Sequence, residues 1–120
     1  MLGILLPDDG PQRYEWHDLG SWFADRGVAE LPLRIVGTAC DGLHTEESLR
    51  RAGALDVLVP PAETLAVQGA SAILWACTSG SFIGGLAWAR EQADGLGRAA
   101  GLPASSTALA LLDALAALQA

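Results

Sequence analysis

The residue best suited to chemistry in this sequence is Cys77, in the stretch LWACTSGSF. An apolar run ends near this cysteine and small polar residues follow it, which predicts a strand that leads into a helix. Unpaired N–H groups at the start of a helix favour a thiolate over a thiol. The same groups, with the hydroxyls of Thr78, Ser79 and Ser81, could bind a carboxylate or an oxyanion, and Gly80 lets the backbone approach a ligand closely. The alternative is a buried, inert cysteine at a strand end.

No other familiar catalytic motif is present. A phosphatase loop of the Cys-x5-Arg type needs an arginine where Ile83 stands, and the G-x-S-x-G, G-x-x-x-x-G-K-[ST] and G-x-G-x-x-G patterns are absent. His17 and His44 have no cysteine or carboxylate partner at metal-ligand spacing, so they are interpreted as solvated or packing histidines and no metal is predicted. Asp8 and Asp9 are interpreted mainly as turn residues, because adjacent side chains in a loop diverge.

The composition excludes several classes of partner. The chain of 120 residues has a net charge of −7 and only seven basic residues, spread along the sequence, so it offers no basic surface to nucleic acid or to an anionic membrane. Its two cysteines, Cys40 and Cys77, form neither a disulfide framework nor a CxxC pair, which predicts a reduced, cytoplasmic protein. Cys40 also follows a predicted strand, so it could lie on the same side of the sheet as Cys77; it is interpreted mainly as an ordinary thiol, with a functional role as the alternative. No apolar run is long enough to predict a signal peptide or a membrane span.

Apolar runs and turn residues predict alternating strands and helices. Strands are expected at residues 2–6, 31–39 and 71–77, and a brief extended segment at 102–106. Helices are expected at 14–25, from near Thr45, and at 60–70, 81–101 and 107–120. This alternation is typical of a single α/β domain over residues 1–120, with a mainly parallel sheet flanked by helices. Ligands bind beyond the carboxyl ends of the strands in such sheets. The small, polar segments at these ends are residues 7–10, 77–81 and 104–107.

The last predicted helix is apolar on almost every side. Between Ala108 and Leu118, Asp113 is the only polar residue. Such a helix is normally buried all round, which predicts that it packs against another copy, a partner chain or a continuation of the chain. The alternative is an alanine-rich face that tolerates solvent.

Three segments resemble the aspartate/glutamate racemase superfamily: GILLPDDG, WACTSGSF and GLPASSTALALLDALAAL, in that order. The resemblance is closest to the group of maleate cis–trans isomerase and arylmalonate decarboxylase, and it concerns the amino-terminal half of such proteins. It implies one lobe of a two-lobed α/β fold, with the active site in the cleft between two similar halves. It also implies chemistry without a metal or an organic cofactor, and one cysteine position in each half.

Carried over to this chain, the resemblance makes Cys77 the nucleophile or the acid/base of an isomerase or racemase that acts on a small carboxylic or dicarboxylic acid. The decarboxylase type lacks the cysteine of this half, so Cys77 favours isomerisation or racemisation over decarboxylation. The substrate-binding residues that the resemblance implies are Pro7, Asp8, Thr78, Ser79, Gly80, Ser81, Ser105, Ser106 and Thr107.

Two other interpretations stay open. The chain could be a non-catalytic module that binds a carboxylate or mediates association, or it could be a decarboxylase of the arylmalonate type. In this family the second half supplies the other cysteine and further carboxylate donors. The chain is therefore expected to be a fragment, to need a separate partner lobe, or to rebuild the cleft as a homodimer.

Overall fold

The strands of the chain form one parallel sheet. The computed structural model describes residues 1–8, 13–28 and 32–119, and for residues 13–17 it describes the backbone alone. Its strands are β1 (Leu2–Pro7), β2 (Leu33–Thr38), β3 (Ala72–Trp75) and β4 (Ala104–Ser106). Its helices are α1 (Arg13–Ala24), α2 (Glu46–Ala52), α3 (Leu55–Val67), α4 (Thr78–Phe82), α5 (Gly85–Ala100) and α6 (Thr107–Ala117). The sheet order is β2-β1-β3-β4 with every pair parallel, which confirms the predicted α/β fold class.

The centre of the hydrophobic core lies between the sheet and helices α3 and α5. Leu5 of β1 and Trp75 of β3 are fully buried, and they belong to one cluster with Leu58 and Leu65 of α3 and Leu96 of α5. Burying a side chain of this kind contributes about 1.5–3 kcal/mol to folding. The two central strands, whose carboxyl ends carry the predicted site, are therefore held by the best-packed part of the molecule.

Helix α3 begins earlier than the sequence predicts. The expected start at Pro60 is wrong, because α3 begins at Leu55 and has Pro60 and Pro61 inside it. A proline inside a helix removes one backbone hydrogen bond. Leu58 lies in the first turns of α3 and is fully buried, and its burial offsets part of that loss. Tertiary packing thus overrides the usual meaning of a proline pair as a helix start.

The single helix expected at residues 81–101 is two helices, α4 and α5. Helix α4 begins at Thr78, directly after Cys77, and α5 begins at Gly85. Gly85 has a φ of +86°, a left-handed conformation that interrupts a right-handed helix and suits glycine. A Cβ at Gly84 would lie 2.5 Å from the ring of Trp88, so this position also requires glycine. The glycine pair therefore separates a one-turn helix from the long one.

The strand register places the carboxyl ends of the strands at one edge of the sheet. Pro7 of β1 pairs with Thr38 of β2. Trp75 of β3 pairs with Leu5 of β1 on one side and with Ser106 of β4 on the other. Residues that follow these positions share this edge, where ligands bind in open parallel sheets.

Helix α6 is packed on one side only. No residue of α6 is buried, and Leu111 and Leu115 are 58% and 41% exposed. With Phe82 and Leu86, residues of α6 line an apolar groove of about 280 Å³ between α4, α5 and α6. The helix has 11 residues, and no helix in the described part of the chain has the length and apolarity of a membrane span.

Candidate functional site

A cavity of about 230 Å³ opens at the carboxyl edge of the sheet. Pro7 of β1 and residues 76–79, at the end of β3 and the start of α4, line part of it. The rest of the lining comes from residues 40–44 of the β2–α2 loop and from Ser48, Leu49 and Ala52 of α2. Of the residues predicted from the sequence, the structure brings Pro7, Cys77, Thr78 and Ser79 together in this cavity.

Cys77 is the N-cap residue of α4. Its backbone is extended, with φ −137° and ψ 117°, and its Sγ accepts a hydrogen bond from the backbone N–H of Gly80 at 3.3 Å. An N–H group that donates to sulfur stabilises the thiolate more than the thiol. The side chain is half-buried and lines the cavity, so the sulfur is fixed in place and faces a space that a ligand can enter.

Thr78 and Ser79 are the first residues of α4 and stand beside the thiol in the cavity lining. Backbone N–H groups in the first turn of a helix have no partner within the helix, and each of these residues adds a hydroxyl. Because α4 has only five residues, its macrodipole is small. Attraction for an anion must therefore come from the local N–H and hydroxyl donors.

Gly80 and Ser81 support the site from behind, and the cavity lining includes neither. A Cβ at Gly80 would lie 3.0 Å from the sulfur of Cys77, so glycine permits the close contact between this turn and the thiol. The Ser81 side chain is fully buried. Its hydroxyl donates to the carbonyl of Thr78 at 2.9 Å and accepts from the N–H of Ala108 at 3.1 Å. Ser81 thus joins α4 to α6.

Asp8 lies just beyond β1 and outside the cavity lining. It is exposed, and its backbone N–H donates to the carbonyl of Thr38 at 3.0 Å, which extends the pairing of β1 with β2. Asp9 and the side chain of His17 lie outside the described residues. The contribution of Asp8 to substrate binding therefore stays a prediction.

The third predicted segment does not line this cavity. Ser106 is buried at the N-cap of α6, where its hydroxyl accepts from the N–H of Leu109 at 3.5 Å. The hydroxyl of Thr107 donates to the carbonyl of Trp75 at 3.5 Å. Ser105 lines a separate groove along β3 and β4. In this lobe, Ser106 and Thr107 anchor α6 to the sheet.

The β2–α2 loop lines the rest of the cavity, and the sequence indicated only Cys40 of it; the parts of Asp41 and His44 were missed. Asp41 accepts from the N–H of Leu43 at 2.9 Å and from the hydroxyl of Ser48 at 2.8 Å. These two hydrogen bonds lower the pKa of the Asp41 carboxyl below its ordinary value of 3.8, so the group is ionised at neutral pH. Cys40 and His44 line the same cavity. The available signal was the position of CDGLH directly after a strand, at the same sheet edge as Cys77.

The two thiols of the cavity are not joined. Among the described residues there is no disulfide, and no group of three or more His, Cys, Asp and Glu side chains could hold a metal ion. Cys40 follows β2 and Cys77 follows β3, with β1 between them. Two strand spacings amount to about 10 Å, which exceeds the Cα separation of a disulfide.

The fold and the site together define a class of protein: an α/β lobe whose cavity lies at the carboxyl edge of a parallel sheet. This lobe matches about half of each chain in the solved structures of maleate isomerase and arylmalonate decarboxylase. The maleate isomerase from Pseudomonas putida S16 aligns with a TM-score of 0.80 at 19% identity. An arylmalonate decarboxylase aligns with a TM-score of 0.67 at 25% identity, and a liganded mutant of such an enzyme with 0.68 at 27%. Each alignment covers 98% of this chain.

The chain belongs to the arylmalonate decarboxylase family, whose family model matches residues 35–120, well over half of the sequence. The resemblance drawn from the sequence motifs is thereby confirmed. The chain spans 46–49% of the length of the solved proteins it matches. No curated protein is similar enough in sequence to count as a match.

Proposed function

We propose that this chain is the cysteine-bearing lobe of a cofactor-independent isomerase or racemase that acts on a small carboxylic acid. The observation that carries the proposal is the position of Cys77, whose sulfur accepts the Gly80 N–H and lines a cavity beside Thr78 and Ser79. The fold is that of enzymes, and membership of the arylmalonate decarboxylase family supports chemistry at a carbon next to a carboxylate.

The substrate carboxylate binds, in this proposal, at the start of α4. The N–H groups and hydroxyls of Thr78 and Ser79 donate to its oxygens. The described lining contains no lysine or arginine, so hydrogen bonds alone must balance the charge. Such donors act most strongly on the enediolate that forms during reaction, because more negative charge then lies on the same oxygens. They therefore favour the transition state over the bound acid.

Cys77 then reacts at the carbon next to the carboxylate. In a racemase, the thiolate takes the α-proton, the C–H electron pair enters the carboxylate to give an enediolate, and an acid on the other face returns a proton. In an isomerase, the thiolate adds to one carbon of a carbon–carbon double bond, and the π electron pair enters the carboxylate borne by the other carbon, which gives an enediolate there. Rotation about the new single bond and expulsion of the thiolate give the isomer. Both sequences balance without an oxidant or a cofactor.

A second lobe completes the cleft in this proposal, as a continuation of the chain, a separate partner or a second copy. The relatives are about twice as long as the chain, and the apolar groove and outer face of α6 are uncovered. The second lobe would also supply the acid that the opposite face of the substrate needs. Of these arrangements, a homodimer would bring two Cys77 thiols to one symmetric cleft.

Decarboxylation of a malonate-type acid is a second candidate, and the family match favours it. In that reaction the bond to the departing CO2 breaks, its electron pair forms the enediolate, and an acid protonates the carbon. Cys77 would then be the proton donor. The cavity fits both candidates because both pass through an enediolate held by the same donors.

The experiment is to incubate the chain in D2O with maleate, with a chiral 2-aryl carboxylic acid and with a substituted malonate, and to follow each acid by proton NMR. With the second lobe present, as a second copy or an added partner, we expect turnover in the parent and in Cys40→Ser, and a loss of about hundredfold or more in Cys77→Ser. Loss of CO2 from the malonate, without isomerisation of maleate or α-deuteration of the 2-aryl acid, would favour the second candidate. Saturable binding without turnover would support a non-catalytic module. If the chain neither binds nor converts any of these acids, the proposal is contradicted.

A further inference from the structure

Gln92 is buried on α5 and connects two helices that border the cavity. The side chain is 4% exposed, and its Nε2 donates to the carbonyl of Gly53 at 2.8 Å and to the carbonyl of Gly80 at 3.0 Å. Gly53 is the C-cap residue of α2, and Gly80 lies within α4. A single side-chain amide therefore holds the ends of two helices that both contribute to the cavity.

The contact between α2 and α4 is too close for a side chain at Gly53. A Cβ at this position would collide with the carbonyl oxygen of Gly80, and it would lie 2.6 Å from Nε2 of Gln92. The spacing of the two helices is thus set by backbone contact and by the hydrogen bonds of one amide. A shift of either helix would break a buried hydrogen bond, which is costly because water cannot replace it.

Packing alone does not explain a glutamine here. The other buried positions of α5 include Ala89, Ala93 and Leu96, which are apolar. The Oε1 atom of Gln92 is buried and has no hydrogen-bond partner among the described residues, which is unfavourable. An apolar side chain would avoid that cost. The amide is explained by the two carbonyls to which it donates.

We propose that Gln92 is a positioning residue for Cys77. It fixes Gly80 through the carbonyl oxygen at 3.0 Å, and the N–H of Gly80 then donates to the sulfur at 3.3 Å. Its second hydrogen bond, to Gly53, keeps α2 at a constant distance from this turn. Gln92 is absent from the described cavity lining, so it acts through Gly80. This role rests on the proposed function of Cys77 as the reacting group.

The test is the pH dependence of Cys77 alkylation by iodoacetamide, measured in a Cys40→Ser background so that only one thiol reacts. Gln92→Met keeps the side-chain length but removes both donated hydrogen bonds. We expect the alkylation rate at neutral pH to fall about fivefold and the pH profile to move upward, as when a thiolate loses one donor. Gln92→Glu retains one O–H donor when its carboxyl is protonated, which burial favours. Its alkylation rate should therefore lie between those of the parent side chain and Gln92→Met.

Two control variants separate positioning from stability. Leu96→Val, on the same helix and in the main core cluster, should lower the melting temperature and leave the alkylation profile unchanged. Gln68→Met repeats the substitution at an exposed residue and should change neither property. If Gln92→Met is less stable but keeps the parent profile, Gln92 is only structural and the inference is overturned.

An NMR measurement on the Cys40→Ser chain, with Gln92 intact, keeps the inference testable if the Gln92 variants do not fold. Alkylation of Cys77 should then shift the side-chain amide resonances of Gln92, and unchanged resonances would overturn the link. A parent thiol of ordinary reactivity would overturn the proposed function of Cys77 and the role of Gln92 with it. An activated parent thiol that Gln92→Met leaves unchanged would overturn the role of Gln92 alone.

Discussion

The N–H of Gly80 donates to the sulfur of Cys77 at 3.3 Å, and a Cβ added to Gly80 would lie 3.0 Å from the same sulfur. The same Cβ would lie 3.1 Å from the ring of Trp75, which is fully buried beneath this turn. Glycine at residue 80 therefore lets the first turn of α4 approach the thiol this closely without a shift of the sulfur or of the tryptophan ring.

Gly80→Ala should lower both the stability of the fold and the reactivity of the Cys77 thiol. The added methyl group must displace the sulfur or the buried tryptophan by a few tenths of an ångström, and overpacking of this kind costs about 1–3 kcal/mol. Urea denaturation should show that loss, and alkylation of Cys77 should slow. Gly20→Ala in α1 is the matched control, because nothing lies within 4 Å of its added Cβ. Equal stability and equal thiol reactivity in the two variants would contradict this fit.

Ser81→Ala should destabilise the lobe without a change in cavity shape. The hydroxyl is the link between the carbonyl of Thr78 in α4 and the N–H of Ala108 in α6, and its loss leaves both groups without this partner. Such losses cost about 1–3 kcal/mol, measurable as a lower midpoint in urea. Ser71→Ala removes an exposed hydroxyl and should stay within about 0.5 kcal/mol of the parent. If Ser81→Ala is as stable as the parent, the packing of α4 against α6 does not depend on this hydroxyl.

Asp41 should disfavour a second carboxylate on the ligand. Asp41 is negatively charged and lines the same cavity as Cys77, and the described lining contains no lysine or arginine that could balance this charge. Asp41→Asn should therefore strengthen maleate binding severalfold, about two- to tenfold at low salt, and leave propionate binding almost unchanged. Calorimetric titration of both acids checks this difference. Equal effects on the two acids would contradict an action of Asp41 on the second carboxylate.

The pH dependence of stability should reflect the same residue. The folded pKa of Asp41 is lowered by the N–H of Leu43 and the hydroxyl of Ser48. Its contribution to folding is therefore present above the ordinary value of 3.8 and is lost as pH falls through the folded value. Between pH 5 and pH 3, Asp41→Asn should lose less stability than the parent in urea denaturation. An equal loss in both would show that this carboxyl is not stabilised by folding.

Much of the fold follows from local patterns in the sequence. Apolar runs bounded by turn residues locate β1, β2 and β3, and β4 lies in the segment expected to be extended. Thr45, the expected start of α2, caps that helix with its side chain. The start of α3 was missed because tertiary packing, including the burial of Leu58, offsets part of the cost of the two prolines, and no local rule measures that balance. The break between α4 and α5 depends on Trp88 packing over Gly84, which is a contact between neighbouring turns.

The candidate site was only half predictable. Cys77, Thr78 and Ser79 could be found because a thiol, hydroxyls and unpaired N–H groups occur together in one short segment. The contribution of Asp41 depends on its hydrogen bond to Ser48, seven residues away in α2. Gln92 acts across 12 residues on Gly80 and across 39 residues on Gly53, and its residue type alone indicates nothing. Such partners are visible only in three dimensions.

The most direct test of the central claim is the rate of Cys77 alkylation by iodoacetamide, measured against pH in Cys40→Ser with and without maleate. Because the Gly80 N–H and the first turn of α4 stabilise the thiolate, alkylation should already be fast near neutral pH. Maleate, bound at Thr78 and Ser79, should slow it in a saturable way. A rate that rises only near the ordinary thiol pKa of about 8.5, with no protection by maleate, would contradict the proposed role of Cys77.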